Sequence, residues 1–195
     1  MRRILALVAT FTVCLVAPAT AGGPNNVVIA SPTADGSLIH RSAVQAGTVG
    51  AGTVDSSNLA LAKPHDCTGC EGIAVAFQAV IATGNPSTVA PSNAAVAVNS
   101  ACNSCGAFAY AYQYYLTANR GAQLSDAARD QIDAIRQQAA QLINQGLTYD
   151  ELDTALDALA VKFHDTILQD LQQADTNPHA GTSSTHLKTV GITKS

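Results

Sequence analysis

The sequence predicts an α+β domain in which two strand–CxxC–strand repeats form a small sheet packed by a C-terminal antiparallel helical hairpin. Three observations carry that expectation. A gapless direct repeat recurs at an interval of 35 residues, as in Cys67 and Cys102. After each CxxC, large and small residues alternate, and helical periodicity is confined to residues 124–174. An all-α alternative built of alanine-rich helices stays open, because alanine is the best helix former.

The chain of 195 residues opens with Arg2 and Arg3, an apolar run from Ile4 to Val16, and the small-x-small sequence Ala19-Thr20-Ala21. That order is a secretory signal, so residues 1–21 are expected to be removed near Ala21 and the rest secreted. A membrane anchor needs about 20 apolar residues, and no later run approaches that, so the mature chain is expected to carry no span. Cys14 follows Val13 rather than a small residue, which argues against a lipid anchor. Loss of Arg2 and Arg3 makes the mature chain more acidic than the net charge of −4 of the whole. With no cluster of Lys or Arg, nucleic acid is not an expected partner; an unidentified protein or cell-surface partner is.

Residues 22–52 are rich in Gly, Ala, Ser, Thr, Asn and Pro and read as a low-complexity N-terminal arm. The Gly47–Gly52 stretch has neither the strand before it nor the helix after it that a dinucleotide site requires. Residues 53–118 form the duplicated unit. Thr53, Val54, Ser57, Asn58, Ala60, Ala62, Cys67, Cys70, Ala74, Ala76 and Gln78 recur as Thr88, Val89, Ser92, Asn93, Ala95, Ala97, Cys102, Cys105, Ala109, Ala111 and Gln113. On a helix, Phe108, Tyr110, Tyr112 and Tyr114 would be split between opposite sides; on a strand they share one face. Each repeat is therefore read as strand, CxxC turn, strand. Gln78 and Gln113, set among alanines, are expected to bridge backbone groups. The aromatic row is either a candidate binding surface or, as the scarcity of other large residues favours, a sheet face covered by the hairpin.

Ser125 suits an N-cap for a helix whose stripe is Ile132, Ile135, Ala139, Leu142 and Ile143, ending near Gly146. Thr148 and Glu151 make a capping box for a second helix with Leu152, Leu156, Leu159, Phe163, Ile167 and Leu171 on one side. So short a link makes the two antiparallel neighbours, a hairpin over 124–174 packed on the repeats. Residues 175–195 turn polar and read as a flexible tail.

The pattern Asn-x-Ala-x-Ala, Cys-x-x-Cys, Ala-x-Ala-x-Gln, twice over and followed by a charged helical hairpin, resembles a group of poorly characterised bacterial secreted proteins. Similar segments form the tails of peptide zinc metalloprotease proteins. The resemblance spans about Thr53 to Leu171 and implies a non-catalytic extracytoplasmic module. The HExxH sequence of a zinc protease is missing here, so that activity does not carry over.

Four cysteines, Cys67, Cys70, Cys102 and Cys105, outlast the leader. In an exported domain, disulfides are the first expectation, with the pairing open among three arrangements. No cofactor is then needed. The alternative is zinc held by the same four cysteines, since two CxxC turns can offer four thiolates, with His65 and Asp66 beside Cys67 as further donors. Thiol–disulfide exchange is third: neither Thr68-Gly69 nor Asn103-Ser104 supplies the positive charge that lowers a thiol pKa, and Asp66 and Glu71 act the other way. Haem attachment is excluded because Glu71 and Gly106 follow the second cysteines. The histidines His40, His65, His164, His179 and His186 show no ligand or triad spacing, and Asp126, Asp130 and Asp133, or Asp150, Asp153 and Asp157, recur as an exposed helix face does. No GxSxG, Walker sequence or EF-hand loop is present. The expected function is thus a non-enzymatic, disulfide-stabilised structural or interaction module.

Overall fold

The computed structural model describes residues 23–50, 52–84, 86–118, 121–174 and 184–194, with side chains at 184–187 and 194 excepted. The leader lies outside the described residues. The fold is α+β, with strands β1 (Asn26–Ala30), β2 (Leu38–Val49), β3 (Thr53–Ala62), β4 (Glu71–Thr83), β5 (Thr88–Ala97) and β6 (Gly106–Ala118), helices α1 (Asp126–Leu142) and α2 (Tyr149–Ala174), and strand β7 (Ser184–Lys194). The all-α alternative is thereby overturned.

The strands form two sheets. One has the order β1-β3-β5, the other β2-β4-β6-β7, and every pair is parallel except β6 with β7. The chain therefore winds as a solenoid of three coils, β1–β2, β3–β4 and β5–β6, each crossing from the first sheet to the second. This corrects the expectation of one small sheet. The CxxC segments, residues 63–70 and 98–105, are too long for the tight loops that close a hairpin. They form wide corners, and each strand pairs with its counterpart one repeat away, in register from Thr53 on Thr88 to Ala62 on Ala97.

Two further expectations fall with it. The segment 22–52 is no arm, because β1 and β2 are the first coil, paired with β3 and β4. Nor is the C-terminal part a tail throughout: residues 175–183 lie outside the described residues, but 184–194 form β7 against β6. Polar composition misled at both ends because edge elements of a solenoid turn only part of their surface inward.

The large–small alternation now has its physical reason. Ala74, Ala76, Ala107, Ala109 and Ala111 point into the narrow space between the sheets, where they meet Val28, Ala30, Ala60 and Ala62. The opposite face of β4 and β6 carries Ile73, Val75, Phe77, Phe108, Tyr110, Tyr112 and Tyr114, which pack against Ile132, Ile135, Leu152, Leu156, Leu159, Phe163 and Ile167 of the hairpin. The sheets approach so closely that a Cβ on Gly72 would stand 3.0 Å from the Ala30 carbonyl oxygen.

Polar ladders run through this interior. The Asn26 Nδ2 donates to Asn58 Oδ1 at 3.0 Å, and Asn58 Nδ2 to Asn93 Oδ1 at 2.8 Å. Asn58 Nδ2 also reaches the carbonyls of Ala76 and Tyr112 in the facing sheet, at 3.0 and 3.1 Å. Gln45, Gln78 and Gln113 stand in register across β2, β4 and β6, and Gln113 Nε2 donates to Gln78 Oε1 at 2.6 Å and Gln78 Nε2 to the Pro24 carbonyl at 2.6 Å. Amides paired in such rows fix the register, since a one-residue slip would break the rungs; the Gln113 Oε1 at the end of its row is buried without a hydrogen-bond partner among the described residues.

The hairpin is built as its caps predict. Ser125 caps α1 by accepting from the Ala128 amide. Glu151 Oε2 accepts from the Thr148 amide at 2.9 Å and hydroxyl at 2.7 Å, which lowers the Glu151 pKa. Arg136 of α1 donates to the Val44 carbonyl at 3.0 Å, occupying an acceptor on the edge strand β2 that would otherwise invite another chain.

Candidate functional site

The three corners stack at one rim, and two of them bring all four cysteines together. Ala34-Asp35-Gly36-Ser37, Cys67-Thr68-Gly69-Cys70 and Cys102-Asn103-Ser104-Cys105 lie one above another. Gly36 N donates to Thr68 O at 2.8 Å and Gly69 N to Asn103 O at 2.9 Å. The third residue of each corner has positive φ, 66° at Gly36, 66° at Gly69 and 55° at Ser104. That conformation suits glycine and strains serine. Asp66 and Ala101, just before the cysteines, are also left-handed, at 54° and 49°.

Within each corner the two sulfurs are at bonding distance, Cys67 with Cys70 and Cys102 with Cys105, across Cα separations of 6.3 and 5.9 Å. The two disulfides are themselves in contact. Cys67 Sγ lies 3.6 Å from Cys102 Sγ, and Cys105 Sγ lies 3.5 Å from Cys70 Sγ. All four sulfurs fall within 4.8 Å of one another, three of the residues buried and Cys102 half-buried. His65 and Asp66 do not join them; they pair with each other at 3.1 Å on the exposed side.

A polar cluster that composition alone did not signal joins this rim to the hairpin. His40 Nε2 is 3.3 Å from Glu71 Oε2, Tyr149 donates to Glu71 Oε1 at 2.9 Å, and His40 Nδ1 lies 3.2 Å from Asn144 Oδ1. Burial, reinforced by the bond to the Glu71 carboxylate, raises the Tyr149 phenol pKa above its ordinary value. The only sequence signal was Glu71 directly after Cys70, and its partners lie far away in the chain.

The aromatic row is not a surface. Phe108, Tyr110 and Tyr114 are buried under the hairpin and Tyr112 nearly so, with the Tyr110 hydroxyl on Asp157 at 2.7 Å and that of Tyr114 on the Ala160 carbonyl at 2.8 Å. Burial first, and then neighbours including Asp157, push both phenols well above the usual tyrosine range. Lys188 of β7 bridges Asp153 and Asp157 at 3.1 and 2.8 Å and lies over the Tyr110 ring. Burial alone would lower the Lys188 pKa, but its bonds to Asp157 and Asp153 outweigh that and raise it.

The open face belongs to the other sheet. Val27 is 54% exposed, Ile29 42% and Val96 40%, with Leu59 and Leu61 half-buried between them. Among the described residues, no helix is long and apolar enough to cross a membrane.

Fold and site together define a three-coil parallel solenoid with a sulfur-lined rim and a helical hairpin over one face. Comparison with family models, curated proteins and solved structures returns no match for this chain.

Proposed function

We propose that the mature chain is an exported, non-enzymatic structural or interaction module, stapled at one rim by Cys67–Cys70 and Cys102–Cys105 and meeting a protein or cell-surface partner. The carrying observation is that each CxxC corner closes on itself at bonding distance. Thiols in an exported domain are oxidised in just such pairs. Support for an interaction role comes from the open sheet, where Val27, Ile29 and Val96 share one uncovered face. A contiguous apolar face of that kind marks a contact surface more often than an ordinary exterior. The reading agrees with what the resemblance to secreted proteins and protease tails implies.

Intact mass of the exported chain, with thiols blocked before and after reduction, tests the staples. Two disulfides and a start at Gly22 are expected, with peptide mapping to the two corners. Free thiols in the freshly isolated protein would defeat the disulfide reading. Reductive turnover of an added disulfide substrate would replace the structural role with the exchange activity.

A further inference from the structure

We infer that Cys67, Cys70, Cys102 and Cys105 are a redox-gated metal site: two disulfides when oxidised and, once reduced, a single tetrathiolate centre for a soft dication such as zinc. The site shares its four residues with the proposed staples and rests on that reading, because the coils set their sulfurs across from one another.

A zinc ion bound tetrahedrally at about 2.3 Å from each sulfur places the sulfurs about 3.8 Å apart. The two edges that join the coils already measure 3.6 and 3.5 Å. The sulfurs within each corner must part, which breaking their bond allows by side-chain rotation, and the same rotation adjusts the two diagonal pairs, which already lie within 4.8 Å. The backbone need not follow, because the corners are tied together by hydrogen bonds on both sides of the cysteines. Asp66 N donates to Ser100 O, Asn103 N to Cys67 O and Gly106 N to Cys70 O, at 3.1, 3.2 and 2.9 Å. Cys102, the half-buried member, leaves one approach from solvent, while the others are shielded. In the coil below, Ser37 precedes the Leu38–Glu71 pair as Cys70 does and accepts from the Glu71 amide through its carbonyl at 3.0 Å, and its buried hydroxyl oxygen has no hydrogen-bond partner among the described residues.

The electron count is simple. Each disulfide takes two electrons and two protons from a dithiol reductant, which departs as its own disulfide. Two such steps give four thiols. The dication then displaces four protons and holds four thiolates, a donor set that selects soft or borderline ions over magnesium or calcium. Oxidation by a disulfide reverses the steps and releases the ion. In the oxidised state each staple lies within one coil; in the metal state one ion ties the second coil to the third. The gate therefore changes which parts of the rim are joined.

The test is titration of the purified full chain, reduced with a dithiol and kept free of oxygen, with cobalt(II) chloride and then zinc. The expected result is a tetrahedral cobalt–thiolate spectrum saturating at one ion per chain, displaced by zinc, with all four thiols shielded from alkylation while the ion is bound. The paired substitutions Cys102→Ser and Cys105→Ser should abolish that spectrum. Circular dichroism follows the fold: a sheet signal retained on reduction, or lost and regained with the ion, supports the site. A reduced chain that takes up no tetrahedral ion, or a variant that binds as the parent does, overturns it. Free thiols in the isolated protein would defeat only the disulfide reading, whereas failure of the reduced chain to hold cobalt would defeat only this one.

Discussion

The first coil and the two that follow build the same corner from different chemistry. Ala34 and Ser37 stand where the second coil has Cys67 and Cys70 and the third has Cys102 and Cys105, yet Gly36 and Gly69 have the same φ of 66° and make the same bond to the coil above. The corner thus forms without sulfur. What shapes it is the left-handed third residue and the stacking of amides, and the cysteines are an addition to a turn that already works. The coils differ on the helix side as well. His40, Ser42 and Val44 of β2 register with Ile73, Val75 and Phe77 of β4, and these with Phe108, Tyr110 and Tyr112 of β6, so side chains grow across the sheet.

The largest expected effect tests the aromatic end of that gradient. Tyr110, Tyr114 and Tyr149 have folded pKa values raised above the unfolded value near 10. In alkali the unfolded chain therefore loses protons that the folded chain keeps. Their contribution is fully present below about pH 10 and is lost as pH rises toward the folded values. At pH 11 each phenol should withdraw about 1.4 kcal/mol. Urea unfolding at pH 9 and pH 11 should show that loss, reduced by Tyr110→Phe; an unchanged midpoint would mean the rings are not sealed between sheet and hairpin.

Next in size is the asparagine ladder. Asn58 has a rung on either side and reaches two carbonyls of the facing sheet, whereas Asn26 is a terminal rung. Leaving a buried polar group unpaired costs about 1–3 kcal/mol. Asn58→Leu should therefore destabilise by more than Asn26→Leu, as read from denaturant midpoints. Equal losses would show that the central coil is no more constrained than the first.

How much of this was legible depended on spacing. The 35-residue repeat, the strands after each CxxC and both helix caps could be read because their residues recur without gaps or at helical intervals. The first coil escaped because its interval is shorter: Asn26 pairs with Asn58 at a separation of 32 and Gln45 with Gln78 at 33, so a gapless comparison slides past it. Its Ala-x-x-Ser corner also removed the cysteine marker. The ladder residues Asn26 and Gln45 were the available signal, being polar residues at positions that stack on buried amides. Parallel pairing was not legible, because alternation fixes which face a side chain takes but not which strand lies beside it. Nor was β7, since a polar edge strand resembles a tail until its partner is known.

The smaller predictions exchange the two kinds of corner. Cys67→Ala with Cys70→Ser gives the second coil the first coil's chemistry and removes one staple. Closing so short a loop contributes about 2 kcal/mol by chain entropy. The chain should still fold, with a thermal midpoint lowered by several degrees; failure to fold would make the sulfur necessary to the turn and break the analogy between coils.

The opposite exchange is Ala34→Cys with Ser37→Cys. It should add a third stacked staple, seen as a further loss of two hydrogens in the intact mass and a peptide linking residues 34 and 37. Stability should rise by no more than about 2 kcal/mol. The buried Ser37 hydroxyl that now lacks a partner is removed at the same time, which adds to the gain rather than opposing it. If the new pair stayed reduced while its neighbours closed, the first corner would differ from the others in backbone geometry and not in sulfur alone.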